Sequence, residues 1–236
     1  MTDNKKTKPE YQEEVVRGER IVETDKWGKI RLLGKNLAMQ LKAEVVYNQA
    51  FSNYLKAGLS TKEELIEEYK KRGLWSDEDE ARRSELAQNL ESYAKEYFAK
   101  QTRLEKTGSA KAKARLKQDI KELEQAIKEI QQELSELMQK YHRLIQYSAD
   151  NLALADMQLS YVVMAVRKED GSSLFVDKEP LDMSPVELLE TIEDVKKAWS
   201  AEDYLYLHWK LQEFWLGIVE DELPPFLRDW KTLWLT

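Results

Sequence analysis

The chain has 236 residues, 42% hydrophobic and 34% charged, with a formal net charge of −7 and no cysteine. That excludes disulfides, thiolate metal sites and a cysteine nucleophile, and only 8 Gly and 5 Pro leave little turn chemistry for a sandwich or barrel. Charge is uneven: residues 1–76 hold 15 basic and 12 acidic side chains, 77–146 hold 14 of each, and 172–236 hold 6 against 14, so the acidic end argues against nucleic acid as a partner.

No apolar stretch follows Met1, so no signal peptide is expected. Val15, Val16, Ile21, Val22, Ile30, Leu32 and Leu33 flank Thr24-Asp25-Lys26-Trp27-Gly28. β-Branched runs around an Asp/Gly turn predict two short strands. Asn36 can cap a helix to about Ala57, carrying Leu37, Leu41, Val45, Tyr47, Phe51, Tyr54 and Leu55, and Gly58 ends it. Ser60 with Glu63 has capping-box spacing for a short helix through Tyr69 that stops at Gly73. Ser76 caps again, ahead of Asp77, Glu78, Asp79 and Glu80, where carboxylates suit a first helical turn. That acidic run lacks the glycine and the spaced oxygen ligands of an EF-hand loop.

Asp77 to Lys106 contains neither Gly nor Pro, Thr107-Gly108-Ser109 breaks the run, and Ala110 opens another past Leu144. In the second run Leu116, Ile120, Leu123, Ile127, Ile130 and Leu134 alternate steps of four and three, a heptad seam. Leu86, Leu90, Tyr93, Tyr97 and Leu104 in the first run oppose Leu134, Ile130, Ile127, Leu123 and Leu116, and every pair of numbers adds to 220. Two antiparallel helices joined near residue 110 produce that pairing. At 1.5 Å per residue, arms of about thirty residues predict a projection of roughly 45 Å.

Leu152 to Val166 is the most apolar stretch, yet it carries Asp156 and is short for a membrane span, so a buried core helix is expected. Asp170-Gly171-Ser172-Ser173 reads as a turn and Leu174-Phe175-Val176 as a brief strand. Ser184-Pro185-Val186-Glu187 places a cap, a first-turn proline and a capping-box acid in one string. Its helix should carry Val186, Leu188, Leu189, Ile192 and Val195. Ser200 with Asp203 opens a further helix from Tyr204 to Val219, stopped by Pro224-Pro225.

His142 and His208 stand apart with no metal-ligand spacing, and structural or surface placement explains both. No nucleophile elbow, Walker loop or dinucleotide fingerprint is present, so no catalytic residue, metal or cofactor is expected. The distinctive material is aromatic: Trp199, Trp209, Trp215, Phe226, Trp230 and Trp234 crowd the last 38 residues. One reading is a core helix packed on two faces. The other is an exposed anchor for a partner, rimmed by Glu220, Asp221, Glu222 and Asp229.

Tyr54-Leu55-Lys56-Ala57-Gly58-Leu59-Ser60-Thr61-Lys62-Glu63-Glu64-Leu65, followed by Arg72-Gly73-Leu74-Trp75-Ser76-Asp77-Glu78, resembles proteins encoded by large tailed bacteriophages. The likeness continues in order through the coiled region, the later Asp-Gly turn and the helices beyond it. It implies a role in virion assembly, with tail assembly chaperone as the nearest one; it transfers no functional residues.

The expected fold is mostly α: a helical body with a projecting antiparallel coiled-coil hairpin and a minor N-terminal β element. The expected segments are an N-terminal tail and β element over 1–35, a helical body segment over 36–76, the hairpin over 77–146 and a Trp-rich helical body over 147–236. The expected function is non-enzymatic: a phage assembly factor in the host cytoplasm that binds a tail or tape-measure protein, with no nucleic acid or membrane partner and with room for homo-oligomers. The alternatives are a permanent part of the virion neck, tail or baseplate, and a cytosolic coiled-coil adaptor.

Overall fold

The computed structural model describes residues 17–217. They form two compact units, one built from residues 17–62 and 147–217 and the other from 63–146.

The first unit holds strands β1 (Glu19–Thr24), β2 (Gly28–Leu33) and β3 (Val166–Lys168) in an antiparallel sheet of that order. The β1–β2 turn forms as its sequence predicts. Gly28 takes φ +64°, Thr24 Oγ1 donates to the Gly28 carbonyl at 2.9 Å, and the Trp27 N–H donates back to that hydroxyl at 3.1 Å. Central β2 buries Ile30 and Leu32 completely. The third strand was not expected; the apolar run of the preceding helix continues straight into it. The strand expected at Leu174–Val176 does not form, because only Ser173 bridges to Arg167. The Ser173 hydroxyl instead accepts the N–H groups of Phe175 and Val176, which turns the chain away from the sheet.

Helix α1 (Leu37–Lys56) starts where Asn36 Oδ1 accepts the Met39 N–H at 2.9 Å and buries Met39, Ala43, Val46 and Ala50 at steps of four, three and four. Helix α2 (Lys62–Lys71) departs from expectation at its start: Ser60 and Glu63 form no capping box, and Asp150 accepts the Lys62 N–H at 2.7 Å. Helices α3 (Asp77–Lys106) and α4 (Ala110–Ile145) make up most of the second unit. In the first unit, α5 (Ala149–Ala165) packs along α1 and buries Ala149, Ala153, Leu159 and every residue from Tyr161 to Ala165. It is the buried helix its composition predicts.

Helices α6 (Pro185–Ala198) and α7 (Ala201–Trp215) complete that unit, each opened by the capping box read from sequence. Helix α6 buries Leu188, Ile192 and Val195, whereas Val186 is half-exposed beside the cap, where the first turn faces solvent. Helix α7 ends four residues short of the expected Val219 because Gly217 adopts φ +62° and closes it. Replacing Ser184 with alanine removes the acceptor of the Glu187 N–H, and thermal unfolding should show a loss of about 1 kcal/mol.

Candidate interaction surface

The α3–α4 hairpin carries the seam the heptads predict. Leu86, Tyr97, Ile120 and Ile127 are buried, and Leu90, Tyr93, Leu104, Leu116, Leu123, Ile130 and Leu134 are half-buried. Tyr97, Ile120 and Ile127 form one apolar cluster with Leu90, Tyr93 and Leu104 around them. Ion pairs cross between the arms: Lys100–Asp119 at 3.3 Å, Lys140–Asp79 at 2.8 Å, and a two-pronged Arg82–Glu133 contact at 2.6 and 2.7 Å. The first two pairs of numbers add to 219, one short of the sum predicted from the apolar positions. At the open end Trp75, 1% exposed, lies 5.1 Å from the Tyr141 ring and donates its indole N–H to Glu80. Lys140 stacks over Trp75 and Arg83 over Tyr141, so two cation–π contacts close that end. Lys140 and the Ser76 groups together hold the Asp79 carboxyl below its ordinary range.

A hairpin with equal numbers of positive and negative side chains is strongly polarised along its length. From Lys95 to Lys121, around the connecting loop, nine basic side chains face three acidic ones; the rest of 77–146 holds five basic and eleven acidic. Lys111, Lys113, Arg115, Lys117 and Lys121 on α4, with Arg103 and Lys106 on α3, are exposed and have no ion pair among the described residues. On α4 this placement works against the fold. Its first turn has no acidic residue and Ser109 makes no side-chain capping bond, so cations there oppose the helix dipole by about 0.3–1 kcal/mol each. Folding does not select that arrangement. Sequence counting missed it because averaging over 77–146 gives zero; dividing the segment at its loop would have found it.

The candidate tryptophans divide. Trp199 stacks on Trp27 at 5.0 Å and leans on Phe175, and Trp215 donates its indole N–H to the Leu33 carbonyl at 2.8 Å while meeting Tyr161 edge-on. Both pack against the core of the first unit. Trp209 is half-buried and donates to Glu213 at 2.6 Å. Phe226, Trp230 and Trp234 lie outside the described residues. Trp27, which the sequence reading left in its turn, is the stacking partner that fixes Trp199.

The most chemically charged spot is a cleft between α1 and α6, lined in part by Tyr54, Asp156, Glu190 and Glu193. Asp156 is 2% exposed. The Tyr54 hydroxyl donates to its Oδ2 at 2.8 Å, and the Lys196 ammonium makes an ion contact with Oδ1 without hydrogen-bond alignment. Burial, then the neighbouring Asp156, pushes the Tyr54 hydroxyl up. For Lys196 burial works downward, and the contacts with Asp156 and Glu193 outweigh it and raise the ammonium. The network compensates one buried carboxylate rather than freeing it for chemistry. Burial alone pushes His208 down, and its ring lies 3.2 Å from Gln212, while His142 is exposed. Among the described residues no three His, Asp or Glu side chains group to hold a metal ion, and no helix is long and apolar enough to cross a membrane.

Comparison with known proteins gives one match, and it falls on the hairpin. Residues 76–137 match the family model of Effector-associated domain 9. The matched stretch opens on Ser76, the N-cap of α3, and closes within α4, so it coincides with the hairpin. It covers 62 of the 236 residues, a likeness in one module. No curated protein and no solved structure matches the chain.

Proposed function

We propose that the protein is a non-enzymatic association factor whose hairpin is the contact surface, with the basic loop end engaging an acidic face on an effector protein. The coincidence of the Effector-associated domain 9 match with α3 and α4 supports this most directly. The unpaired cations beside the loop support the sign of the partner's charge. Binding of that kind gains its speed and selectivity from electrostatic complementarity and weakens with salt. The test is co-purification of the tagged chain with effector-type proteins encoded beside it. Reversing Lys111, Lys113 and Arg115 to glutamate should weaken capture by about tenfold at low salt, where electrostatic steering is least screened. Equal capture by the reversed and natural chains rejects the loop end as the contact.

A second reading draws on the resemblance of Arg72–Glu78 to phage proteins. In it the same chain works in the host cytoplasm as a tail assembly chaperone, shielding the apolar surface of a tail or tape-measure protein. As a permanent neck, tail or baseplate part it would instead be stoichiometric in purified particles, which mass spectrometry decides. Within Arg72–Glu78, Trp75 and Ser76 already have structural work as the buried ring and the N-cap of the hairpin. For that reason the effector reading comes first.

A further inference from the structure

We propose that α1 carries a second seam, on the side away from the core, through which two copies of the chain pair antiparallel about a two-fold axis. This goes beyond the effector reading and does not depend on it. Helix α1 hides Met39, Ala43, Val46 and Ala50 on one side. On the opposite side Leu37, Leu41, Glu44, Asn48, Phe51 and Leu55 recur at alternating steps of four and three, the spacing of a coiled-coil stripe. Leu37, Leu41 and Leu55 are 68%, 54% and 40% exposed. Glu44 and Asn48 are exposed too, and Phe51 is half-buried with its ring stacked on Tyr47 at 6.0 Å. Single exposed apolar side chains are ordinary, but a row of them at this spacing marks a contact.

The occupant follows from the symmetry of the stripe. Its six positions are a palindrome about Val46, with apolar residues at both ends and polar ones in the middle. A two-fold contact requires that residue i meet residue j while j meets i. In an antiparallel pairing centred there, Leu37 meets Leu55 of the second copy, Leu41 meets its Phe51 and Glu44 meets its Asn48, and each contact occurs twice. Four apolar pairs then flank a centre in which the Asn48 amide donates to the Glu44 carboxylate of the other copy. A parallel pairing would set Glu44 against Glu44, and like charges placed face to face exclude that arrangement. A polar residue within such a seam fixes its register at a cost in stability. The stripe rises about 27 Å from Leu37 to Leu55. Two such faces bury on the order of 1,000 Å² in total, the low end of specific interfaces. The dimer should therefore dissociate on the order of tens of micromolar.

The absence of cysteine allows a direct test. Full chains carrying Leu37→Cys and Leu55→Cys are mixed in a glutathione redox buffer, and the disulfide-linked dimers are resolved by mass. Both positions are exposed, so folding is retained, and unchanged circular dichroism checks it. The antiparallel register predicts at least about tenfold more of the mixed disulfide than of either self-linked species, because each position lies roughly 27 Å from its own copy. Sedimentation of the natural chain should show a dimer forming with concentration, and Leu41→Glu should weaken it at least about tenfold by placing a second carboxylate beside Glu44. A chain that stays monomeric up to about 200 μM overturns the proposal, as that is well above the dissociation range expected of such an interface. So does a dimer that survives Leu41→Glu, which would place the contact elsewhere, and so does a preference for self-linked disulfides, which would mean a parallel pair. None of these failures bears on effector capture by the hairpin, so the two readings fail separately.

Discussion

Ile127→Asp should dismantle the hairpin. Ile127 has no exposed surface and sits in a cluster whose only other buried members are Tyr97 and Ile120. A carboxylate at that point has no cation facing it across the seam. Its burial costs several kcal/mol, and removal of the isoleucine packing adds to that. A two-helix seam has no second layer to absorb such a loss. Helices α3 and α4 hold 66 of the 142 α-helical residues described, so the 222 nm ellipticity should fall by up to nearly half at 25 °C. Ile127→Val should cost only about 1 kcal/mol and keep the signal. Arg82→Ala, despite its two-pronged contact with Glu133, should leave thermal stability nearly unchanged because both groups are in water. If Ile127→Asp leaves the ellipticity intact, the apolar seam is not what holds the two arms together.

Asp156→Ala should be the costliest polar change in the first unit. It leaves the Tyr54 hydroxyl and the Lys196 ammonium facing each other in a partly buried cleft, and breaking one partner of such a network costs about 3–5 kcal/mol. Urea denaturation measures it. Replacing the pair together, Asp156→Leu with Lys196→Met, should recover most of the loss, since no uncompensated charge remains. The network also sets an alkaline limit. Both Tyr54 and Lys196 are raised in the folded chain, so their contribution is complete below their ordinary values of 10.0 and 10.5 and is lost as pH climbs through the folded ones. Stability of the natural chain should therefore decline above about pH 10, and that decline should be shallower in the Asp156→Leu, Lys196→Met chain. An identical alkaline slope in the two chains would remove Asp156 from this account.

What the sequence made legible was local or periodic. Asn36, Ser76, Ser184 and Ser200 announce their helices because a cap is decided within four residues. The hairpin register could be read to within a residue because two glycine-free heptad runs flank one short break. Contacts between distant segments were not legible. β3 is three residues long and continues the apolar run of α5, so only its pairing with Ile30–Leu32 distinguishes it from the helix end. Trp199 looks the same in sequence whether it faces solvent or Trp27, and the stack forms between residues 172 positions apart. Asp156 in an apolar run gave a signal, but its partners Tyr54 and Lys196 come from two other helices.

The first unit is discontinuous, with the 84 residues from 63 to 146 lying between its two parts. During synthesis β1 and β2 leave the ribosome long before β3 exists to complete their sheet. The intervening arms need only near neighbours, so they can zip on the microsecond scale while translation adds a few residues per second. Once zipped, Trp75 and Tyr141 are adjacent. An open loop of 84 residues is thereby replaced by a few-residue gap, which lowers the entropic barrier to joining the two parts by roughly 2 kcal/mol. The hairpin, by closing on itself, thus brings together the two halves of the unit into which it is inserted.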